Sequence, residues 1–447
     1  MASQEEKDAC KGDPKALMEA LAGAGGKAGP SPLTKPEAAF HLWNYVVPSV
    51  EKAAECHDAI PLLVAMLKNP DATDEVRHSV AGALAYLARV EEHRPEIAVN
   101  PVPTLLGQLL SHSGSDRIPV MASQCLLELS MNEDCRKAAA MQAVVPSLIA
   151  AINASLPRCH DAADCTPALP NVLKVLCNMA AAPGPALVAL TTAAADTTPP
   201  AYNFLITLVN GTFVTGDKAV RSHAACLLGK CVAEATEAIP AEERRAAAGK
   251  FPDDLRTKAL EEGALRSMLK LCEMPDGCDD DARKAAAGML HSYMRDYDGV
   301  AERVVRDDGV SLLIKMLKPP PADPNADAGG KKAKAGGKKK KEAPLAPAVD
   351  EAIKHAAGCI SLLTSMGFHK ELTSEIQATE TTQVLDALQE SGNEATRRYA
   401  REALWNLKFF EVPASVMSHF RLTEDAAGEI ILSPNAKKKL AAGGVEG

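Results

Sequence analysis

Apolar residues along this chain recur at helical spacing, and one helical phrase returns eight times. Its copies are AAFHLWNY (38–45), VAGALAYL (80–87), ASQCLLEL (122–129), VLKVLCNM (172–179), AACLLGKC (224–231), AAGMLHSY (286–293), AAGCISLL (356–363) and AREALWNL (400–407). A small residue opens most copies (Ala38, Ala122, Ala224, Ala286, Ala356, Ala400). A large aliphatic follows four residues later (Leu42, Leu84, Leu126, Leu228, Leu290, Ile360, Leu404). That offset places both on one helical face, where the small residue admits a neighbouring helix and the aliphatic fills the gap. The seventh position of each copy serves as an anchor: Asn44, Tyr86, Glu128, Asn178, Lys230, Ser292, Leu362 and Asn406.

A second apolar phrase precedes most copies: AIPLLVAML (59–67), PVPTLLGQL (101–109), VVPSLIAAI (144–152), ALRSMLKLC (264–272) and GVSLLIKML (309–317). Three of these carry a proline near the start, where its missing N–H is harmless and its fixed φ is already helical. Between the two kinds of helix, stretches such as EEHRPEIAV (91–99) and DCRKAAAMQ (134–142) suit a short third one. The first two anchor spacings are both 42 residues, and later ones lengthen to 50, 52, 62 and 70 through insertions. PRCHDAADC (157–165), TTAAADTTPP (191–200), the stretch 235–254 and the low-complexity segment 318–347 have loop or linker composition.

A unit of about 42 residues with this grammar resembles the armadillo repeat, whose signature pairs I-P-x-L-V-x-L-L with A-x-x-A-L-x-N-L. The resemblance covers residues 36–410 and is strongest at HDAIPLLVAML and YAREALWNL. HEAT repeats of similar length share much of the same grammar. The resemblance implies an all-α fold, a right-handed α-solenoid of about eight armadillo-like three-helix repeats. The expected organisation is a flexible segment 1–35, repeats over 36–317, a Lys/Pro/Gly-rich linker at 318–347, the last repeats over 348–410, and a cap and tail at 411–447. The two Trp-Asn phrases, at Trp43 and Trp405, mark the first and last repeats, and their indoles are expected to seal the exposed ends.

Composition narrows the class of function. The chain is 47% hydrophobic but only 4% aromatic, which favours close helix packing. Its formal charge is −9; seven lysines and no acid occupy 331–341, so the remainder stands at −16 (−9 less 7). An acidic body opposes nucleic-acid binding. Twelve cysteines spread through a chain with a polar start, MASQEEKDAC, read as reduced intracellular thiols. Cys125, Cys226 and Cys359 fall in apolar helical patterns and act as small hydrophobes. No uncharged apolar run approaches the roughly 20 residues needed to cross a bilayer. The expected location is the cytoplasm, with the nucleus as the alternative if Lys338, Lys339, Lys340 and Lys341 form a localisation signal rather than a solvated linker.

Candidate chemistry lies in the anchor row. In armadillo proteins the third helices line a concave groove, and the asparagine of A-L-x-N-L clamps an extended peptide through an amide that both donates and accepts. By resemblance that role falls on Asn44, Asn178 and Asn406; helix–helix contact is the competing role. The other anchors are not asparagine, so the ladder is broken. Importin-alpha repeats also carry tryptophan four residues before each asparagine, whereas this chain has Phe40, Gly82, Gln124, Lys174, Cys226, Gly288, Gly358 and Glu402 there. A nuclear-import receptor is therefore disfavoured. The groove expected to receive a partner's extended peptide or helix comprises Trp43, Asn44, Tyr86, Glu128, Asn178, Lys230, Ser292 and Asn406.

Cys159, His160 and Cys165, and Cys272 with Cys278, lack the matched pair of close ligands that structural zinc uses, so no metal is expected. Cys56-His57 precedes AIPLLVAML and is assigned to the start of that helix. No phosphate-binding loop, nucleophile elbow, zinc-protease motif or dinucleotide fingerprint occurs, so neither catalytic residue nor cofactor is assigned. The acidic run DGCDDDARK (276–284) suits a helix start, where carboxylates meet the positive end of the dipole. The expected function is a non-catalytic protein-interaction scaffold. Armadillo proteins also include exchange factors for heat-shock chaperones and cytoskeletal or axonemal components, which stand as alternatives.

Overall fold

The computed structural model describes residues 10–23, 33–99, 101–155, 167–180, 205, 208, 218–237, 264–273, 280–296, 299–318, 346–366, 381–391, 393–408, 423–424 and 430–431. They form two compact units, the first mainly Met1–Arg244 and the second mainly Arg283–Gly447.

The first unit opens with α1 (Pro14–Ala22), inside the segment whose sequence reads as flexible. Asp13 accepts a hydrogen bond from the Lys15 amide at 3.0 Å, and Gly23 closes the helix in the left-handed conformation, φ 71°. Leu17, Ala20 and Leu21 are buried as α1 packs on α2 (Lys35–Val46). A nine-residue helix is marginal alone, so this one depends on that packing. Helix α2 starts with a capping box: the Thr34 amide donates to Glu37 at 2.8 Å, and the Glu37 amide donates to Thr34 Oγ1 at 3.4 Å.

There follow α3 (Val50–Ala54), a 3-10 turn (His57–Ala59), α4 (Ile60–Leu67) and α5 (Asp74–Leu87). After a second 3-10 turn (Glu91–His93) come α6 (Arg94–Ile97), α7 (Val102–Leu109) and α8 (Arg117–Met131). Next are α9 (Glu133–Lys137), α10 (Ala139–Gln142), α11 (Val145–Ser155), α12 (Leu169–Met179) and α13 (Lys218–Glu237). Prolines stand at the helix starts of α2, α4, α6, α7 and α12. Each unit of short, medium and long helix is the expected three-helix repeat, for instance α6, α7 and α8.

The long third helices lie side by side, α2 on α5, α5 on α8, α8 on α12 and α12 on α13. Second helices α4, α7 and α11 each pack on the third helix of their own repeat. The repeated aliphatics Leu42, Leu84, Leu126 and Leu228 are wholly buried, as are Ala38, Ala122 and Ala224 opposite them. Each such leucine contributes about 1.5–3 kcal/mol by leaving water.

The boundary between the units runs through α14 (Ala264–Glu273) and α15 (Asp280–Asp296). Helix α15 begins with Asp280 and Asp281 in its first turn, as the acidic run predicts. The second unit continues with α16 (Val300–Arg306), α17 (Gly309–Leu317), α18 (Pro347–Ser365), α19 (Thr381–Ser391) and α20 (Glu394–Lys408). Here α17 packs on α18, and α18 and α19 pack on α20. Leu290 and Ile360 with their partners Ala286 and Ala356 are again buried to 0%, as is Ala400, while its partner Leu404 in the last repeat is half-exposed. A minimal antiparallel pairing joins β1 (Thr423–Glu424) to β2 (Ile430–Ile431). Residues 319–345, with the lysine run, and the SVMSHF stretch lie outside the described residues.

The chain is thus an all-α array of armadillo-like repeats. Among the described residues no helix is long and apolar enough to cross a membrane.

Candidate functional site

The anchor row is positioned by the third helices, and three contacts recur at fixed offsets from the anchor. The first concerns the residue just before it. Trp43 lies over α5, where a Cβ added to Gly82 would come within 2.7 Å of the indole, and its ring meets His78 edge-on at 4.9 Å. In the second unit His291, also one before its anchor, covers Gly358, whose added Cβ would fall 2.5 Å from the imidazole. Gly82 and Gly358 each stand four before the next anchor. A ring of one repeat therefore fills the space that glycine leaves in the next. This corrects the expectation for Trp43: the indole faces the second repeat, and α1 covers the outer side of α2.

The second contact uses the anchor itself. Asn178 Nδ2 donates to Ser130 Oγ at 2.9 Å, and Asn406 Nδ2 donates to Thr364 Oγ1 at 3.2 Å. Ser130 and Thr364 both stand two residues past the preceding anchor. Each hydroxyl donates onward to a carbonyl of its own helix, to Leu127 at 2.7 Å and to Ser361 at 2.8 Å. Lys230 likewise turns back to the preceding helix and donates to the Cys177 carbonyl. At these anchors the amide or ammonium ties adjacent repeats together.

The third contact closes the helix ends. Arg94 Nε donates to the Ala88 carbonyl at 2.9 Å, and Arg136 Nη1 donates to the Ser130 carbonyl at 2.8 Å. Both arginines stand eight past their anchor and reach a carbonyl two past it. Those carbonyls lie at the C-terminal ends of α5 and α8, where a cation also meets the negative end of the dipole.

Glu128 is only 8% exposed and sits in a polar cluster. Gln124 Nε2 donates to its Oε1 at 3.0 Å, Arg89 lies 3.8 Å away and Arg94 4.0 Å away. Arg89 also covers the Tyr86 ring at 4.8 Å. Asn44 is exposed, while Tyr86, Asn178, Lys230, Ser292, Trp405 and Asn406 are half-buried. Phe40 is 46% exposed, Val47 37% and Met131 53%. Tyr86, Arg89, Gln124 and Glu128 therefore meet across the adjacent helices α5 and α8, Arg89 from just past the end of α5; Met131 closes α8, and Phe40 and Asn44 lie on α2 with Val47 at its end. Sequence reasoning missed Arg89 and Met131, although each stands three past its anchor, at or just beyond the end of its helix.

The cysteines inside the helices behave as hydrophobes. Burial pushes the Cys125 and Cys359 thiols far up and the Cys177 and Cys231 thiols up to about 12, the reverse of a reactive thiolate. Cys226 is half-exposed. His57, assigned to a helix start, lies in the first 3-10 turn, and its Nε2 meets Glu96 at 2.8 Å. Among the described residues no group of His, Cys, Asp and Glu could hold a metal ion. Cys159, His160, Cys165, Cys278 and Lys338–Lys341 lie outside them.

No family model matches the chain, and no curated protein matches it. Solved structures similar to it include an engineered protein from a structural genomics consortium, with 16% identity, 88% of this chain and 98% of that one covered, and a TM-score of 0.37. Another engineered protein from the same consortium shows 16% identity over 78% of this chain and 97% of that one, TM-score 0.31. A designed armadillo repeat protein shows 16% identity over 78% of this chain and 99% of that one, TM-score 0.32. The assignment to armadillo-like repeats rests on the helices and recurring contacts described above.

Proposed function

We propose that the chain is a non-catalytic protein-interaction scaffold, with its partner lying along the third-helix face of the first unit. One observation carries this reading. Five third helices pack consecutively, and on or at the ends of the first three Val47, Arg89 and Met131 remain partly open to solvent, each three past its anchor, with Phe40 and Tyr86 also partly open. Partly exposed aromatic, arginine and methionine side chains on a rigid frame are the residue types that dominate binding energy at protein interfaces.

The anchors divide between two roles under this reading. Asn44 and Tyr86 face the partner, whereas Glu128, Asn178, Lys230 and Asn406 hold repeats in register, and Ser292 stays with the expected face without a distinguishing contact. The cytoplasm is the proposed location.

Quantitative affinity capture from the native cell tests the proposal, comparing the whole chain with a Tyr86→Ala, Met131→Ala variant. Both side chains are partly exposed, so helicity by circular dichroism should be unchanged while specific partners drop at least tenfold. Partners retained by the variant, or lost only when 318–347 is deleted, would move the function to the lysine segment.

A further inference from the structure

The charges on the third-helix face are one-sided. From eight residues before the anchor to three after it, the third helices of the second to fifth repeats carry only four charged residues: Arg89, Glu128, Lys174 and Lys230. The one carboxylate, on Glu128, is nearly buried and engaged by Gln124, Arg89 and Arg94. The Arg89 side chain is 46% exposed, and Lys174 stands half-exposed four residues before Asn178. In the same windows of the second unit the sole carboxylate is Glu402, which accepts a hydrogen bond from Ser361 at 3.0 Å. The second to fifth repeats thus present Arg89 and Lys174 as partly exposed cations, while Glu37, in the same window of the first repeat, accepts from the Thr34 amide at 2.8 Å.

From this charge pattern, and resting on the scaffold reading above, we infer that the first unit binds an acidic, extended segment of a partner protein, with carboxylates at Arg89 and Lys174 and an apolar side chain between them against Tyr86 and Met131. Neighbouring helices pack about 8–10 Å apart, so Arg89 and Lys174, two repeats apart, are separated by roughly 20 Å. An extended chain advances about 3.3 Å per residue, which sets the two carboxylates about six residues apart. A nucleic acid fits less well. Its phosphates follow one another too closely for two separated cations.

The test is fluorescence polarisation on the full chain with a labelled peptide of about twelve residues, carrying two glutamates about six apart and a leucine between them. A lysine-for-glutamate version and a single-stranded oligonucleotide serve as competitors. The glutamate peptide should bind, weaken with rising ionic strength, and lose about tenfold in affinity with Lys174→Glu and again with Arg89→Gln. Lys174 is not among the groups that engage Glu128, which are Gln124, Arg89 and Arg94, so its variant remains informative if Arg89→Gln disturbs folding. Equal or tighter binding of the lysine peptide or the oligonucleotide overturns the inference, as does an unchanged affinity in Lys174→Glu. An unbiased peptide-display selection separates the two levels. Selected peptides without acid that depend on Tyr86 sink the acidic segment but keep the scaffold; no peptide dependent on Tyr86 or Met131 sinks both.

Discussion

Gly82 has no room for a side chain, because a Cβ there would meet three atoms of the Trp43 indole at 2.7–2.9 Å. On an isolated helix Gly→Ala stabilises by about 1 kcal/mol. Overpacking against a rigid ring costs about 1–3 kcal/mol. The two effects oppose each other, and against a rigid ring at this distance the overpacking wins. Gly82→Ala is therefore expected to lower the urea midpoint of the first unit, and Trp43→Ala, Gly82→Ala to be less destabilised than the two single effects combined. A stabilised Gly82→Ala would show that the indole lies elsewhere. In the sequence Gly82 and Gly358 register only as breaks in a row where another type of repeat carries tryptophan. What fills the space comes from 39 residues earlier for Gly82 and 67 earlier for Gly358, beyond the reach of any local pattern.

Small and aliphatic residues four apart mark most of the third helices, and at α5 and α8 an arginine closes the C-terminal end. The arginine is the part that can be tested at this scale. Arg136 serves the Ser130 carbonyl at 2.8 Å and the Met131 carbonyl at 3.1 Å, at the last turn of α8. Arg136→Met keeps the apolar stem and removes both hydrogen bonds. It should cost about 1–2 kcal/mol and raise hydrogen exchange in the last turn of α8 while the middle of the helix stays protected. Uniformly faster exchange along α8 would contradict a terminal role. All the long helices were legible as apolar phrases, whereas α1, α3, α16 and α19 were not. Helices α1, α3 and α16 are short, and α19 has a polar-rich sequence, TTQVLDALQES, so neither repeats the phrase that located the others.

For the whole molecule the clearest coupling is to pH, through imidazoles buried between helices. Burial holds His78, His93 and His355 below the ordinary histidine range, His355 at about 4. The groups facing His355 are Glu351, which favours its protonation, Lys354 and Lys284, which oppose it, and the His291 ring 5.7 Å away. A histidine with a lowered folded-state value supports folding fully above about pH 6.5, and that support is lost as pH falls toward 4. His355 alone should remove about 2 kcal/mol between pH 7.5 and 5. Urea unfolding followed by circular dichroism should show the second unit's midpoint falling over that window, and His355→Gln should flatten the fall. A midpoint constant from pH 7.5 to 5 would mean that the imidazole is solvated.

The amino-acid sequence by itself determined the repeat. A helical face needs a small residue and a large aliphatic at the same offset every time two helices pack, and that demand is written locally in each copy. It also identified Asn178 and Asn406 as special, but not what they bind, since an amide facing a peptide and one facing a hydroxyl use the same atoms. Only the tertiary structure decided that Asn178 meets Ser130, that Asn406 meets Thr364 and that Glu128 is enclosed by Arg89, Arg94 and Gln124. Those partners lie 34 to 48 residues away in every case but Gln124, and the spacing between repeats varies with each insertion. The local pattern fixes which side of a helix faces its neighbour, and the packing of whole helices fixes which side chain it meets there.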